Sequence, residues 1–220
     1  DKDMILGFEK EVLGIYLSGH PLEKYRSIME KMISARTIDF QPDDETGIPK
    51  VYDGQKVIIG GMITEKTIKY TRSNKVMAFL TVEDLMGTVE IVVFPRDYEK
   101  WQTLINEDAR VFIQGRVNAE DDKPSKLILE KVRAFDDIPR EIWIQFKDRE
   151  DYAQKEQELL NYLRGSVGTS AVVIYLKDVK AIKRLPAGYH VQISDFLLEE
   201  LKKKYGDSNV KVVERVLKNF

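Results

Sequence analysis

The stretch from Lys75 to Pro95 constrains the fold more than any other part of the sequence. Two runs rich in β-branched and aromatic residues flank a turn with the sequence Asp-Leu-Met-Gly, and Pro95 ends the second run. A short glycine-containing loop between two such runs is typical of a β-hairpin. We therefore predict two antiparallel strands in this stretch.

The first run of this hairpin has two chemically different faces. Alternation places Ala78, Leu80 and Val82 on one face and Phe79 on the other. If the aliphatic face covers a core, Phe79 lies on the open face. Just upstream is a loop with four cations and no acid: Lys66, Lys69, Arg72 and Lys75. An outward aromatic beside such a loop predicts a surface on which bases stack and phosphates bind.

The composition limits how this surface can act. The chain has 220 residues and a net charge of −2, so it has no overall basic field and any nucleic-acid binding must come from a local patch. No apolar run reaches the roughly 18 residues of a membrane helix, and we expect no membrane partner. The chain has no cysteine, which fits a reducing cytoplasm. It begins Asp-Lys-Asp-Met with no signal segment, and we interpret it as a piece of a longer protein.

The strand pattern around the hairpin predicts a small barrel. A long first strand runs from Val57 to Tyr70, and we place a bulge at Gly60-Gly61 that bends it. Beyond the hairpin we predict a helix over 95–106 and strands over 109–119 and 126–135. Five strands with a helix between the third and fourth are the plan of an OB-fold. In that fold strands two and three, with the loops between strands one and two and between four and five, bind the ligand.

The flanking segments complete the predicted architecture: α+β with an all-β part. Apolar spacing predicts helices over 3–17 and from Pro21 to Met32, which form a helical hairpin over 1–38. A linker over 39–55, rich in Pro, Gly and Asp, precedes the OB-fold over 56–136. A small α+β domain follows over 137–220. In it we predict helices over 148–165 and 194–205 and strands over 141–146, 171–176, 180–185, 191–193 and 209–216.

Three segments resemble a known protein family. They are Glu11–Leu22, which contains Leu-Gly-Ile-Tyr-Leu-Ser-Gly-His-Pro-Leu, then Met77–Asp84 and Glu90–Pro95. Together they resemble the C-terminal portion of the alpha subunit of bacterial DNA polymerase III. The resemblance covers essentially the whole chain. It implies that 1–38 ends the fingers region, that the OB-fold lies near single-stranded template DNA, and that the last domain binds the tau subunit of the clamp loader.

Nucleotidyl transfer needs carboxylates that converge on two divalent metals, and no acidic group in this sequence has that pattern. Glu83 and Asp84 are adjacent in a strand and point to opposite faces, Asp121-Asp122 lie in a polar loop, and the acids from Asp148 to Asp151 open a helix. We therefore expect no catalytic residue, metal or cofactor in this segment. The resemblance implies that the parent polymerase would need Mg²⁺ bound elsewhere.

The expected single-stranded DNA site has seven residues: Lys66, Lys69, Tyr70, Arg72, Lys75, Phe79 and Arg116. The cations would contact phosphates, and Phe79 with Tyr70 would stack on bases. Two alternatives stay open from the sequence. The barrel could pack only on the remainder of the polymerase chain or on another protein, or it could bind RNA as the anticodon-binding domains of aminoacyl-tRNA synthetases do.

Overall fold

The structure is a computed structural model that describes residues 19–119 and 123–215. The contact pattern divides the chain into two units, the first ending at Asp137 and the second beginning at Ile138. The helix predicted over 3–17 lies outside the described residues. Within the described part of the chain, no helix is long and apolar enough to span a bilayer.

Over residues 19–119 and 123–137, the first unit contains five strands and two short α-helices, α1 and α2. Its elements are α1 (Arg26–Met32), β1 (Lys56–Tyr70), β2 (Val76–Glu83), β3 (Thr88–Val93), α2 (Pro95–Trp101), β4 (Arg110–Asn118) and β5 (Lys126–Ala134). Turns of 3-10 helix lie at Glu23–Tyr25, Thr37–Phe40 and Phe135–Asp137. The helix predicted over 95–106 therefore ends five residues early, at Trp101, and turns lead from it to β4.

The five strands close into a barrel in the order β1-β2-β3-β5-β4. β1 pairs antiparallel with both β2 and β4, and β3 pairs parallel with β5. The barrel interior is filled by aliphatic side chains from alternate positions of all five strands, including Ile63, Leu80, Ile91, Ile113 and Leu129. This architecture confirms the predicted OB-fold.

A bulge in β1 decides which side chains face outward along the exposed half of that strand. Ile63 pairs with Val82, but the next pair joins Glu65 to Thr81, so Thr64 is an extra residue. An extra residue reverses the alternation of every side chain that follows it. Thr67 and Lys69 consequently share the outward face of Phe79 and Met77, their register partners on β2.

The predicted bulge at Gly60-Gly61 is wrong, because both glycines keep a regular register with Phe112 and Val111 on β4. Both residues are glycines because neighbouring groups approach their backbone too closely for a side chain. A Cβ on Gly61 would lie 2.5 Å from the carbonyl oxygen of Glu83, and one on Gly60 would lie 2.9 Å from the ring of Phe112. The glycines therefore allow β1 to cross between its two neighbouring strands.

The segment predicted as a linker, 39–55, contributes Phe40 and Val51 to the barrel core. Just before it, the backbone N–H and the hydroxyl of Thr37 donate to the carboxylate of Asp84 at 2.9 and 2.6 Å. The N–H groups of Met86 and Gly87 donate to the same carboxylate at 2.7 and 3.1 Å. A buried carboxylate with four donors ties this segment to the turn between β2 and β3.

The second unit is a four-stranded sheet with two helices. Its elements are β6 (Arg140–Phe146), α3 (Arg149–Leu163), β7 (Val172–Leu176), β8 (Ala181–Arg184), α4 (Asp195–Tyr205) and β9 (Val210–Glu214). The strand order is β8-β7-β6-β9, with only β6 and β7 parallel. The strand predicted over 191–193 is a single bridge between Val191 and Ser170.

Each helix of this unit begins at a side-chain cap and buries one apolar stripe. Asp148 accepts from the N–H of Asp151 at the start of α3, and Ser194 accepts from the N–H of Leu197 at the start of α4. The core of the unit joins residues of β6 and β7, such as Ile144 and Ile174, to residues of the two helices. Together the units give the predicted α+β class with an all-β part.

Candidate nucleic-acid interface

Phe79 lies on the outward face of β2. Its neighbours Ala78 and Leu80 are fully buried in the barrel, whereas Phe79 is half-buried and lies outside the core cluster. Its register partners are Thr67 on β1 and Val92 on β3. The face predicted from alternation is therefore the observed one, although the ring is partly covered.

The cover comes from Lys69, whose Nζ lies 5.1 Å from the centroid of the Phe79 ring. This is a cation–π contact at a solvent-exposed position, where such contacts contribute about 0.5–1 kcal/mol. It follows from the bulge at Thr64, because without the extra residue Lys69 would point to the opposite face. The structure thus brings a predicted phosphate contact and the predicted stacking ring together.

Arg72 and Lys75 lie in the tight turn that joins β1 to β2. The N–H of Thr71 donates to the carbonyl oxygen of Lys75 at 2.8 Å, and Asn74 adopts a positive φ of 57°. Asparagine tolerates this left-handed conformation better than most residues. The turn is therefore defined, and Arg72 and Lys75 are exposed on it. Neither they nor Lys69 forms an ion pair with any described acid.

Lys66 and Tyr70 lie on the other face of the same strand. Lys66 pairs with inward-facing Leu80, its Nζ hydrogen-bonds Asn106 Oδ1 at 3.1 Å, and it lies 5.5 Å from the Tyr98 ring centroid. Tyr70 is 68% exposed but shares the alternation of Lys66. The structure therefore does not bring Lys66 and Tyr70 together with Phe79, because the bulge turns them to the other face.

Arg116 lies in the same outward row as Phe79, three strands away. Register partners connect Phe79 to Val92, Val92 to Ile128, and Ile128 to Arg116. Neighbouring strands are about 4.8 Å apart, so the row is about 14 Å long. Arg116 Nη2 lies 3.5 Å from a carboxylate oxygen of Glu130, which also pairs with Lys56. Two cations share one acid, which leaves net positive charge at this end.

Val92 and Ile128 form an apolar strip between Phe79 and Arg116 that the sequence reasoning missed. Neither belongs to the cluster that fills the barrel interior, and the strand register places both on the outward side, where Ile128 is half-buried and Val92 is only 9% exposed. The alternation of β3 and β5 contains this signal, since Ile91 and Leu127 are core residues. We use the name outward row for this apolar strip together with the two residues at its ends, so the row consists of Phe79, Val92, Ile128 and Arg116.

Acids lie beside the outward row but are engaged with neighbours. Glu90 pairs with Lys126 at 2.7 Å, and Glu65 accepts a hydrogen bond from the hydroxyl of Thr81 at 3.2 Å. The cations at the β1–β2 turn have no such partner within 19–119 and 123–215. The charge at the turn end of the row is therefore positive, which suits phosphate groups.

Other candidate residues have structural surroundings. His20 Nδ1 accepts from the N–H of Leu22 at 3.1 Å, and its Nε2 lies 3.1 Å from a carboxylate oxygen of Glu83, which fits the structural role expected of a turn histidine. Trp101 donates to the carbonyl of Glu130 at 3.2 Å while packing on the barrel core. Phe94, the residue immediately before α2, is 45% exposed.

The acids and histidines of the described residues do not converge on a common point. In the described residues no three of these side chains are placed to hold a metal ion together. Asp84 accepts its hydrogen bonds from Thr37 and from the turn before β3. The neighbouring acids of α3 act within the helix: Asp148 caps it, and Asp151 pairs with Lys155 at 2.6 Å. That contact, with the N–H of Lys147, lowers the pKa of the Asp151 carboxyl below its ordinary value.

The sequence matches one family model and several DNA polymerase subunits. Residues 57–134 match the family of OB-fold nucleic acid binding domains. The chain is 28% identical over 216 residues to the DNA polymerase III subunit alpha of Bacillus subtilis, covering 94% of this chain and 18% of that protein. The resemblance to the C-terminal region of this subunit is confirmed.

Further alpha subunits match in the same way. That of Escherichia coli K12 is 26% identical over 224 residues, with 96% of this chain and 18% of that protein covered. That of Borreliella burgdorferi is 31% identical over 185 residues, with 79% and 15% covered. The chain thus spans less than a fifth of the length of these DNA polymerase III alpha subunits.

Solved structures match the barrel only loosely. One is the SSB domain of a Synechococcus protein, at 16% identity and a TM-score of 0.33, covering 38% of this chain and 97% of that one. Another is asparaginyl-tRNA synthetase from Pyrococcus horikoshii, at 21% identity and a TM-score of 0.33, covering 60% and 28%. Scores this low add nothing to the argument from geometry.

Proposed function

We propose that this chain is part of a replicative DNA polymerase alpha subunit and that its barrel binds single-stranded template DNA along the outward row. The observation that carries the proposal is the placement of Lys69, Arg72 and Lys75 beside outward-facing Phe79. A strand would stack a base on Phe79, pass over the apolar strip and contact Arg116. Lys66 and Tyr70, on the opposite face, contribute little.

The contacts favour weak binding that tolerates any sequence. Stacking on one aromatic ring contributes about 1–3 kcal/mol per base, and exposed cations add affinity that falls with salt. The outward row offers one aromatic ring and no cluster of amide side chains to read base edges. Such binding suits a template guide, since the strand must slide while chemistry proceeds elsewhere in the longer polymerase chain, at carboxylates that hold Mg²⁺.

For the second unit we propose binding to the tau subunit of the clamp loader, as the relation to the alpha subunit suggests. The remainder of the polymerase chain is the other expected partner, and the cytoplasm the expected location. Calorimetric titration of the chain with tau should show saturable binding that Phe79→Ala leaves unchanged. Absence of binding would refute the tau assignment without affecting the DNA proposal.

The DNA proposal is tested by fluorescence anisotropy with a labelled oligo(dT) and, side by side, the matching oligo(rU). The triple variant Lys69→Gln/Arg72→Gln/Lys75→Gln should weaken DNA binding at least about 10-fold at low salt, because each lost phosphate contact removes counterion release. The matched control is Lys50→Gln/Lys100→Gln/Lys211→Gln, three exposed lysines that belong neither to the β1–β2 hairpin nor to the outward row. It should stay within about 2-fold of wild type.

Three results would contradict the proposal. An equal loss of oligo(dT) affinity in both triple variants would mean that binding depends only on the net charge of the chain. A clear preference for RNA would favour a module like the synthetase anticodon domains. Unchanged oligonucleotide affinity of Phe79→Ala, together with lost binding to the rest of the polymerase, would show that the barrel is a packing module.

A further inference from the structure

The outer strand β8 has an unpaired edge. It is the first strand in the sheet order and pairs only with β7, and all four of its residues are exposed. The N–H of Leu185, just after β8, donates to the carbonyl of Val172 at 3.0 Å. Because successive residues of a strand direct their backbone groups to opposite sides, the N–H and C=O groups of Ile182 and Arg184 point away from β7. No described backbone group pairs with them.

A groove runs beside this edge, between α3 and the β7–β8 pair. Its volume is about 440 Å³. The floor and walls are largely apolar and include Ala153, Ile174, Leu176 and Ala181. On the other face of the sheet Ile182 is 54% exposed. A strand added at the β8 edge would therefore place alternate side chains in the groove and the remaining ones beside Ile182.

At the end of the groove beside the β7–β8 turn, three cations outnumber Asp178, the exposed acid of that turn. Arg149 lines the groove there, and Lys177 and Lys180 lie in and beside the adjoining β7–β8 turn. All three are exposed, and none forms an ion pair with a described acid. The cations of β8 itself are engaged: Lys183 pairs with Glu156 at 2.8 Å, and Arg184 pairs with Glu141 at 3.0 Å.

We propose that the β8 edge binds an extended acidic peptide segment of a partner protein as a fifth strand. Backbone groups along an open edge match the backbone of a peptide, and the groove accepts its alternate apolar side chains. Nucleic acid fits less well, since the stretch 177–184 carries no aromatic side chain on which a base could stack. The inference rests on the protein-binding role proposed for the second unit and assigns it a surface and a ligand chemistry.

The test uses the full chain and a fluorescein-labelled decapeptide in which Val alternates with Asp or Glu. Anisotropy should show saturable binding, whereas the same peptide with Lys in place of the acids should bind at least about 10-fold more weakly. Lys180→Glu should weaken binding of the acidic peptide about 5-fold. Lys211→Glu, the same charge change on the opposite edge strand β9, should stay within about 2-fold.

A second variant tests the backbone contacts independently of charge. Ile182→Pro removes an N–H that points to solvent and leaves the bonds to β7 intact, so the fold should be retained, as circular dichroism would show. It should weaken peptide binding by about 3- to 10-fold.

The outcomes separate this inference from tau binding and from a nucleic-acid role. Failure of the acidic peptide to bind, or equal effects of Lys180→Glu and Lys211→Glu, would overturn the inference. So would a loss of oligo(dT) affinity in Lys180→Glu when the peptide does not bind. The peptide assay contains no tau. If the peptide binds to the chain but tau does not, only the tau assignment is refuted.

Discussion

Phe79→Ala is the substitution that most directly probes stacking on the outward row. A base that stacks on Phe79 gains about 1–3 kcal/mol. It must displace Lys69, whose Nζ lies 5.1 Å from the ring centroid and whose contact contributes about 0.5–1 kcal/mol. The difference leaves about 0.5–2 kcal/mol. At 1.4 kcal/mol per decade, the substitution should raise the Kd for oligo(dT) by about 2- to 30-fold.

The measurement is an anisotropy titration at fixed low salt, with Tyr70→Ala as the matched control. Tyr70 is an exposed aromatic of the same hairpin that lies on the opposite face from Phe79. The Kd of Tyr70→Ala for oligo(dT) should therefore stay within about 2-fold of wild type. Phe79 lies outside the barrel core, and the variant should therefore remain folded by circular dichroism. A Tyr70→Ala effect as large as that of Phe79→Ala would refute the assignment of the binding face.

Three further predictions concern stability. Asp84→Ala should lower the free energy of unfolding by about 2–4 kcal/mol in urea titrations, because four donors lose their acceptor; a loss below about 1 kcal/mol would contradict this. Tyr205→Phe should leave stability equal or raise it by about 1 kcal/mol, because the buried hydroxyl has no hydrogen-bond partner among the described residues. Burial raises the pKa of Tyr205 to about 12, so the benefit should not vary between about pH 6 and 9.

The third concerns Glu156, whose carboxyl pKa is lowered from its ordinary 4.5 mainly by the hydrogen bond from Lys183. A lowered folded-state pKa gives stability that is present above pH 4.5 and is lost as the pH falls through the folded value. Lys183→Met should therefore reduce the urea midpoint near neutral pH and should reduce it less in acid. An equal reduction of the urea midpoint near neutral pH and in acid would contradict the pairing of Lys183 with Glu156.

The hairpin and the barrel could be predicted from sequence because they depend on local signals. Alternation of small and aliphatic residues placed Ala78, Leu80 and Val82 inward, and the Asp-Leu-Met-Gly turn set the register. Local signals also predicted helices that begin at Asp148 and Ser194, and in the structure each of these side chains accepts a hydrogen bond from a backbone N–H of its helix.

The position of the bulge could not be predicted, and much of the site depends on it. Glycines are the usual signal for a bulge, but Gly60 and Gly61 serve close packing and the extra residue is Thr64. One misplaced residue exchanges the two faces of the strand. That exchange is why Lys69 joins Phe79 while Lys66 does not.

Contacts between residues that are distant in sequence could not be predicted either. Phe40 and Val51 lie in a segment rich in turn-forming residues, yet both are buried in the barrel. Likewise the outward row joins Phe79 to Arg116 through β3 and β5, whose parallel pairing is a property of barrel closure. Neither relation has a period along the chain that a sequence pattern could reveal.

The central claim, that the cations of the β1–β2 hairpin bind single-stranded DNA phosphates beside Phe79, is tested most directly by the salt dependence of oligo(dT) binding. Each phosphate contact to a single strand contributes about 0.7 to the slope of log K against log salt. The triple variant Lys69→Gln/Arg72→Gln/Lys75→Gln should therefore flatten the slope by about 2, while Lys66→Gln should leave it near that of wild type. An unchanged slope in the triple variant would contradict the claim.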